Sequence, residues 1–170
     1  MKLILIAAVS VDGVIGIDDN IPWHIPEDMK HFRNTTINHS IIVGYNTYLT
    51  LPPKAFENRS YWVLSSKNKI VDRQNIIQFK TIDNIFENLK KCNNCDKIFV
   101  AGGAMIYDSM IDYCDEAIIT WVNKKIPNGN KFFPVLKLFN NFVPTINDVD
   151  WLLSTTNIEY KIIQYNKINI

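Results

Sequence analysis

Residues 100–107, VAGGAMIY, follow an apolar segment, KIF (97–99), turn through a pair of glycines and continue into a helical stretch. A strand that is apolar throughout reads as buried on both faces of a sheet. A strand that passes through glycine straight into a helix is the repeating unit of an α/β fold. The same arrangement recurs in VGYNTY (43–48), where SIIVG (40–44) leads through Gly44 into a helix. Free backbone N–H groups at such turns bind phosphate, and glycine lets the phosphate approach. Two such turns suit the pyrophosphate of a dinucleotide, with Thr47 placed to add a hydroxyl. The plainer reading is that the glycines serve only the turn geometry. No G-x-G-x-x-G occurs, so the standard Rossmann fingerprint is absent.

Working outward, further short runs rich in β-branched residues appear at 3–10, 60–65 (SYWVLS), 75–79 (NIIQF) and 116–122 (EAIITWV). Helical stretches alternate with them. Residues 26–36 begin with Pro26, suited to the first helical position, and carry acids in the first turn. Residues 82–91 have Thr81 as N-cap, with Ile82, Ile85, Phe86 and Leu89 at i, i+3, i+4 and i+7. Residues 104–113 supply a third helix. WLLSTTNIEYKIIQYNKI (151–168) reads as two adjacent strands. The pattern predicts an α/β fold: one domain over residues 1–170, a mostly parallel central sheet with an antiparallel C-terminal edge hairpin, and helices on both faces. Such sheets bind ligands beyond the carboxyl ends of their strands.

Bulk properties narrow the function. The chain has 170 residues, 47% hydrophobic and 21% charged, enough for one proper core. A net charge of +1 with no basic tract argues against a nucleic-acid partner. The longest apolar run, LILIAAVSV (3–11), is too short to span a bilayer and lacks a small-residue cleavage site, so it reads as a first strand and no membrane association is expected. Cys92, Cys95 and Cys114 form no framework, which points to a reducing compartment and a cytoplasmic location. CNNC (92–95) has C-x-x-C spacing. Zinc would need a second pair of ligands, and the three histidines all lie between 24 and 39. A redox motif would open a helix, whereas this one follows a helix. Free thiols in a loop and no metal site are expected.

The chemistry-bearing stretch is IPWHIPEDMKHF (21–32). On a helix from Pro26, Asp28, Met29 and Phe32 share a face, while Glu27, Lys30 and Asn34 point elsewhere. Burial raises a carboxyl pKa, and a nearby donor moderates it. An acid so placed relays a proton or grips a donor-rich ring by paired hydrogen bonds. The alternative is a solvated first-turn acid. VLSSKN (63–68) puts two hydroxyls and a lysine at a strand end, suited to a ribose phosphate or simply a polar turn. Arg59 is placed to clamp a carboxylate, or else is merely solvated. Thr120 lies in a buried strand and needs a hydrogen-bond partner, most simply a local carbonyl. The connection SVDGVIGIDDNIPW (10–23) has the length of a lid. It reads equally as an irregular surface loop, with Trp23 as a core anchor.

Together and in this order, these pieces resemble dihydrofolate reductase. IAAVSVDGVIG (6–16), IPWHIPEDMKHF, VGYNTY, NRSYWVLSS (58–66), VAGGAMIY, IITWV (118–122) and FFP (132–134) carry the resemblance, most specifically the Pro-Trp-x-x-Pro-x-Asp-x-x-x-Phe segment. The resemblance implies reduction of dihydrofolate to tetrahydrofolate for one-carbon metabolism, with hydride from NADPH, in an antifolate target that binds inhibitors of the methotrexate and trimethoprim type. It implies that Asp28 grips the pterin and promotes its protonation, that Thr120 hydrogen-bonds Asp28 and the pterin amino group, and that the lid carries Trp23. Ile6, Ala7 and Ala101 would line the pterin and nicotinamide region, with Tyr107 near the nicotinamide. Met29, Phe32, Leu51 and Phe56 would wall the folate pocket, and Arg59 would bind the glutamate α-carboxylate. Ala8, Ile15, Gly16, Gly44, Tyr45, Asn46, Thr47, Leu64, Ser65, Ser66, Lys67, Ala101, Gly102, Gly103, Ala104, Met105, Ile106 and Tyr107 would hold the cofactor. A monomer is implied.

Three positions depart from the family pattern. Tyr45 stands where many relatives have arginine, Ala104 and Met105 where many have a basic residue, and Ala104 replaces a third glycine. That leaves Ser66 and Lys67, with Asn46 as a donor, for the 2′-phosphate of NADPH, and allows NADH to be tolerated. Two other readings fit parts of the chain: the pyrimidine reductase of riboflavin biosynthesis, and a non-catalytic folate- or nucleotide-binding module.

Overall fold

The structure, a computed structural model, describes residues 1–66, 75–92 and 96–168. Its strands are β1 (Lys2–Ser10), β2 (Val14–Gly16), β3 (Ser40–Gly44), β4 (Ser60–Leu64), β5 (Ile76–Phe79), β6 (Lys97–Val100), β7 (Glu116–Val122), β8 (Lys131–Phe132), β9 (Phe142–Pro144), β10 (Leu152–Leu153) and β11 (Glu159–Lys167). Its helices are α1 (Pro26–Thr36), α2 (Tyr45–Thr50), α3 (Ile82–Lys91), α4 (Ala104–Met110) and α5 (Val135–Asn141). The main sheet runs β10-β11-β7-β1-β6-β3-β4-β5. From β7 to β5 every pairing is parallel, and β11 adds antiparallel to β7.

Alternation along β1 sorts the core into two layers. Leu3, Leu5, Ala7 and Val9 face a cluster with Ile85 and Leu89 of α3, Ile106 and Met110 of α4, and Leu138 of α5. Ile4 and Ile6 face the other way, toward Ile41, Val43, Tyr61 and Phe99, where Phe32 of α1 and Tyr48 of α2 cover them. Helices therefore lie on both faces, as the sequence pattern implies. Thr81 caps α3, its Oγ1 accepting from the Asn84 N–H at 3.2 Å.

Several features depart from the sequence-based expectations. Helix α4 stops at Met110, and Ile111–Tyr113 tightens into a 3-10 turn. The C-terminal hairpin forms, but β10 contributes only Leu152 and Leu153, paired with Tyr160 and Glu159. Strand β9 joins β11 as well. The 10–23 connection is not wholly irregular, because β2 pairs with β8 in a small separate ribbon. Cys92 is engaged in a disulfide, which corrects the expectation of a free thiol there. Cys95 and Lys67 lie outside the described residues. Cys114 is free and buried.

The turn after β6 depends on glycine. Gly102 has φ +97°, and a Cβ there would come within 2.8 Å of the Tyr107 ring. Tyr107 is not free to swing aside, since its hydroxyl donates to the Ile6 carbonyl at 2.8 Å. Gly102→Ala is therefore expected to lower the unfolding free energy by about 2–3 kcal/mol through backbone strain and overpacking. Urea unfolding monitored by tryptophan fluorescence measures this, and an unchanged midpoint would contradict the packing described.

Candidate active site

Helix α1 starts at Pro26 without a side-chain cap, and its first turn carries Glu27 and Asp28. The two acids have different surroundings. Asp28 turns toward the sheet, where its Oδ1 accepts a hydrogen bond from Thr120 Oγ1 at 2.5 Å. Thr120 therefore bonds a carboxylate from another element and not a local carbonyl. Burial pushes the Asp28 carboxyl above the usual carboxylate range. The Thr120 hydroxyl and then the nearby His31 hold the rise in check. Glu27 is tied down as well, with Oε1 accepting from the Thr155 N–H at 2.9 Å in the turn between β10 and β11. That hydrogen bond leads the influences holding its carboxyl below the usual range.

Much of the expected apolar wall packs into one cluster. Ile6 belongs to the cluster against which Phe32, Leu51, Phe56 and Ala101 pack. Met29 is 51% exposed, at the rim. Ala7 alternates with Ile6 and packs into the opposite layer. Trp23 packs with Ile25, Val122 and Tyr160. Arg59 is buried, not solvated. Its Nε donates to Thr36 Oγ1 at 3.0 Å, Nη1 to the carbonyls of Ala55 and Glu57 at 3.2 Å each, and Nη2 to the Arg33 carbonyl at 2.8 Å. With five N–H donors on a guanidinium, one Nη2–H is left over among the described residues.

A cavity of about 750 Å³ opens across the carboxyl ends of the parallel strands. Its walls include Ala8, Ile15, Gly16, Gly44, Tyr45, Asn46, Thr47, Leu64, Ser65, Ser66, Ala101, Gly103, Ala104, Met105, Ile106 and Tyr107. Gly102 lies behind them, buried against Tyr107. The turns form a close cradle: a Cβ on Gly103 would sit 3.2 Å from Thr47 Oγ1, and the Gly44 N–H donates to the Gly102 carbonyl at 2.8 Å. From β1 to β5 are four strand spacings, about 19 Å, the span of an extended dinucleotide. Sequence reasoning missed Asp18, Asp19, Asn20, Ile21, Thr50, Lys80, Thr81 and Lys131 on these walls. Lys80 and Thr81 directly follow the run 75–79, so the carboxyl-end rule was the signal that points to them. Lys80 makes no hydrogen bond or ion pair among the described residues.

The 10–23 connection is held beside this cavity. Asp12 accepts from Ser10 Oγ at 2.5 Å and from the Ile126 N–H at 2.8 Å. Asp18 and Asn130 exchange two hydrogen bonds, at 2.8 and 2.7 Å. The two sites meet at one point, because Thr120 is the register partner of Ala8. The acid's anchor thus stands on the strand next to the one whose end lines the cavity.

Asp28 leaves a thermodynamic signature. An unfolded aspartate titrates near about 3.9, and the folded value is higher. Stability from the protonated form is therefore fully present below the unfolded value and lost as pH rises through the folded one. In urea unfolding across about pH 4 to 8, Asp28→Asn is expected to gain on the unaltered protein as pH rises. Parallel curves would show that the acid is not buried.

A family profile described as dihydrofolate reductase matches residues 2–167. The chain is 34% identical over 164 residues to dihydrofolate reductase type 1 of Escherichia coli, covering 96% of this chain and 99% of that one. It is 31% identical over 135 residues to a dihydrofolate reductase of Mycoplasma genitalium, covering 78% and 83%. It is 34% identical over 139 residues to one of Buchnera aphidicola, covering 82% and 83%. With a nearly full-length profile match added to this acid and this cavity, the chain belongs to the dihydrofolate reductase family.

Proposed function

We propose that this chain reduces 7,8-dihydrofolate to 5,6,7,8-tetrahydrofolate, with NADPH as the hydride donor. The observation that carries the reading is Asp28, bonded to Thr120 on the strand beside the end of β1 that lines the cavity. Asp28 accepts paired hydrogen bonds from the pterin amino group and ring nitrogen and promotes delivery of a proton to the ring. Thr120 holds the carboxyl in place. Ile6, Phe32, Leu51 and Phe56 pack the aromatic middle of folate and keep water from the reacting ring, with Met29 at the rim and Trp23 behind the lid segment. The spare Nη2–H of Arg59 meets the glutamate α-carboxylate, and its other hydrogen bonds hold the guanidinium for that contact. The family match favours this activity over a pyrimidine reductase or a non-catalytic module.

The residues of the cavity fit the cofactor. Gly103 and Thr47 shape a cradle too tight for a side chain, which suits a pyrophosphate. When bound, the reduced nicotinamide supplies the hydride. Lys80, with Ser66 and Thr81, meets the 2′-phosphate, the role that Tyr45 and Met105 cannot fill. Antifolates of the methotrexate and trimethoprim type occupy the same crevice, their amino-substituted rings against Asp28. A cytoplasmic monomer is the reading that rests on the sequence resemblance.

Mixing the protein with NADPH and dihydrofolate is expected to bleach the reduced-nicotinamide absorbance, and methotrexate to stop the decay. Asp28→Asn should keep cofactor binding and lose about a hundredfold or more in rate at neutral pH; unchanged turnover would remove the acid from the mechanism. Lys80→Gln is expected to raise KM for NADPH about tenfold, the worth of one charge-assisted contact, while leaving KM for NADH within about twofold. Equal effects on both cofactors would show that Lys80 does not read the 2′-phosphate.

A further inference from the structure

The charged side chains on the described walls of the cavity are Asp18, Asp19, Lys80 and Lys131. Lys80 follows β5, at one end of the row of parallel strands, and the proposed function gives it the 2′-phosphate. The other three stand at the opposite end. Strand β2 begins just past β1, where the Gly13 N–H donates to the Ser10 carbonyl at 2.9 Å and the Val14 N–H to Ser10 Oγ at 2.9 Å. Strand β8 pairs with β2 and sets Lys131 opposite Gly16. Between the ends of β1 and β5 lie four strand spacings, about 19 Å, too far for one lysine to serve both ends.

The backbone of Lys131 is held in place, while its charge has no partner. Its neighbour Asn130 exchanges two hydrogen bonds with Asp18, and the Phe133 N–H donates to the Gly13 carbonyl at 2.9 Å. The stem of Lys131 lies along Gly16, where a Cβ would touch Lys131 Cβ and Cγ at 3.5 Å each. Gly16 is itself part of the cavity wall. The Lys131 ammonium makes no hydrogen bond or ion pair among the described residues. Asp18 and Asp19 on the same side repel an anionic ligand, and among the described wall residues at that end Lys131 is the cation that offsets them.

The cradle of Gly103 and Thr47 offers shape and a hydroxyl but no cation. A dinucleotide's pyrophosphate carries a negative charge on each phosphate. With the 2′-phosphate at β5 and the nicotinamide beside the acid anchored on β7, the phosphate on the nicotinamide side is the one nearer β1. We infer that Lys131 is a cofactor-binding residue: its ammonium pairs with the nicotinamide-side phosphate, while Lys80 reads the 2′-phosphate. The inference rests on the reading that the cavity takes a nicotinamide dinucleotide. It gives Lys131 a part in holding the cofactor and none in the transfer itself.

The test is calorimetric titration without substrate at low ionic strength, a readout that does not depend on turnover. Lys131→Gln is expected to weaken NADPH, NADH and 2′-phospho-ADP-ribose alike, each by about tenfold, the worth of one charge-assisted contact. Adenosine 2′,5′-bisphosphate, which lacks the nicotinamide-side phosphate, should stay within about twofold of its affinity for the unaltered protein. Lys131→Arg, which keeps a cation, should restore most of the loss. In phosphorus NMR of bound NADPH, Lys131→Gln should move a pyrophosphate resonance and leave the 2′-phosphate resonance in place. Dinucleotide affinities that Lys131→Gln leaves within about twofold, an equal loss for adenosine 2′,5′-bisphosphate, or Lys131→Arg binding as weakly as Lys131→Gln would each overturn the assignment. Absence of NADPH binding in the unaltered protein would overturn the proposed function and this assignment with it, whereas normal binding that ignores Lys131 would overturn this assignment alone.

Discussion

The hydrogen bond from Thr120 to Asp28 is the constraint around which the site is arranged. It joins residues 92 apart in sequence and fastens the first turn of α1 to β7. A hydrogen bond to a charged acceptor contributes about 1.5–3 kcal/mol, but its larger consequence is positional. Thr120 is in register with Ala8 of β1. A carboxyl held at Thr120 is therefore held beside the carboxyl ends of the parallel strands, where the cavity opens. Without that anchor, the pull of solvation on a first-turn acid would favour turning it outward.

The two faces of β1 carry two separate layers of the core. One layer, built on Leu3, Leu5 and Val9, packs against α3, α4 and α5. The other, built on Ile4 and Ile6, is covered by α1 and α2, with Phe32, Leu51 and Phe56 packed against it. Tyr107 links the layers: its ring packs over Gly102, and its hydroxyl crosses to the Ile6 carbonyl. The shape of the cradle and the strand that anchors Asp28 are thus consequences of one sheet and its register. Beside Asp28 in the chain, Glu27 ties the first turn of α1 to the C-terminal hairpin through the Thr155 N–H.

Much of this was legible from residues alone, for identifiable reasons. The parallel strands were legible because strands buried on both faces stay apolar at every position, and α3 because its apolar residues recur with helical period behind a threonine cap. The pairing of β2 with β8 was not, because a two-residue strand across more than a hundred positions leaves no local pattern. Helix α5 and strand β9 were missed for the same reason of brevity. Asp28 was preferred over Glu27 from the helix face it shares with Met29 and Phe32, and the resemblance paired it with Thr120; the contact itself depends on the first turn of α1 lying against β7, which local sequence does not encode. Arg59 read as a carboxylate clamp or a solvated cation; its role as a hub for backbone carbonyls depends on a chain path that spacing does not encode. Lys80 escaped notice because its place at the cavity follows from β5 lying beside β4.

The proposed function requires the Asp28 carboxylate to pair with a protonated heterocycle. The most direct measurement is the ultraviolet difference spectrum of a bound methotrexate-type antifolate, at a pH where the free inhibitor is neutral. In the unaltered protein the bound ring is expected to absorb as its protonated form, and in Asp28→Asn as its neutral form. A neutral-ring spectrum in the unaltered protein would contradict the placement of Asp28 at the heart of the site.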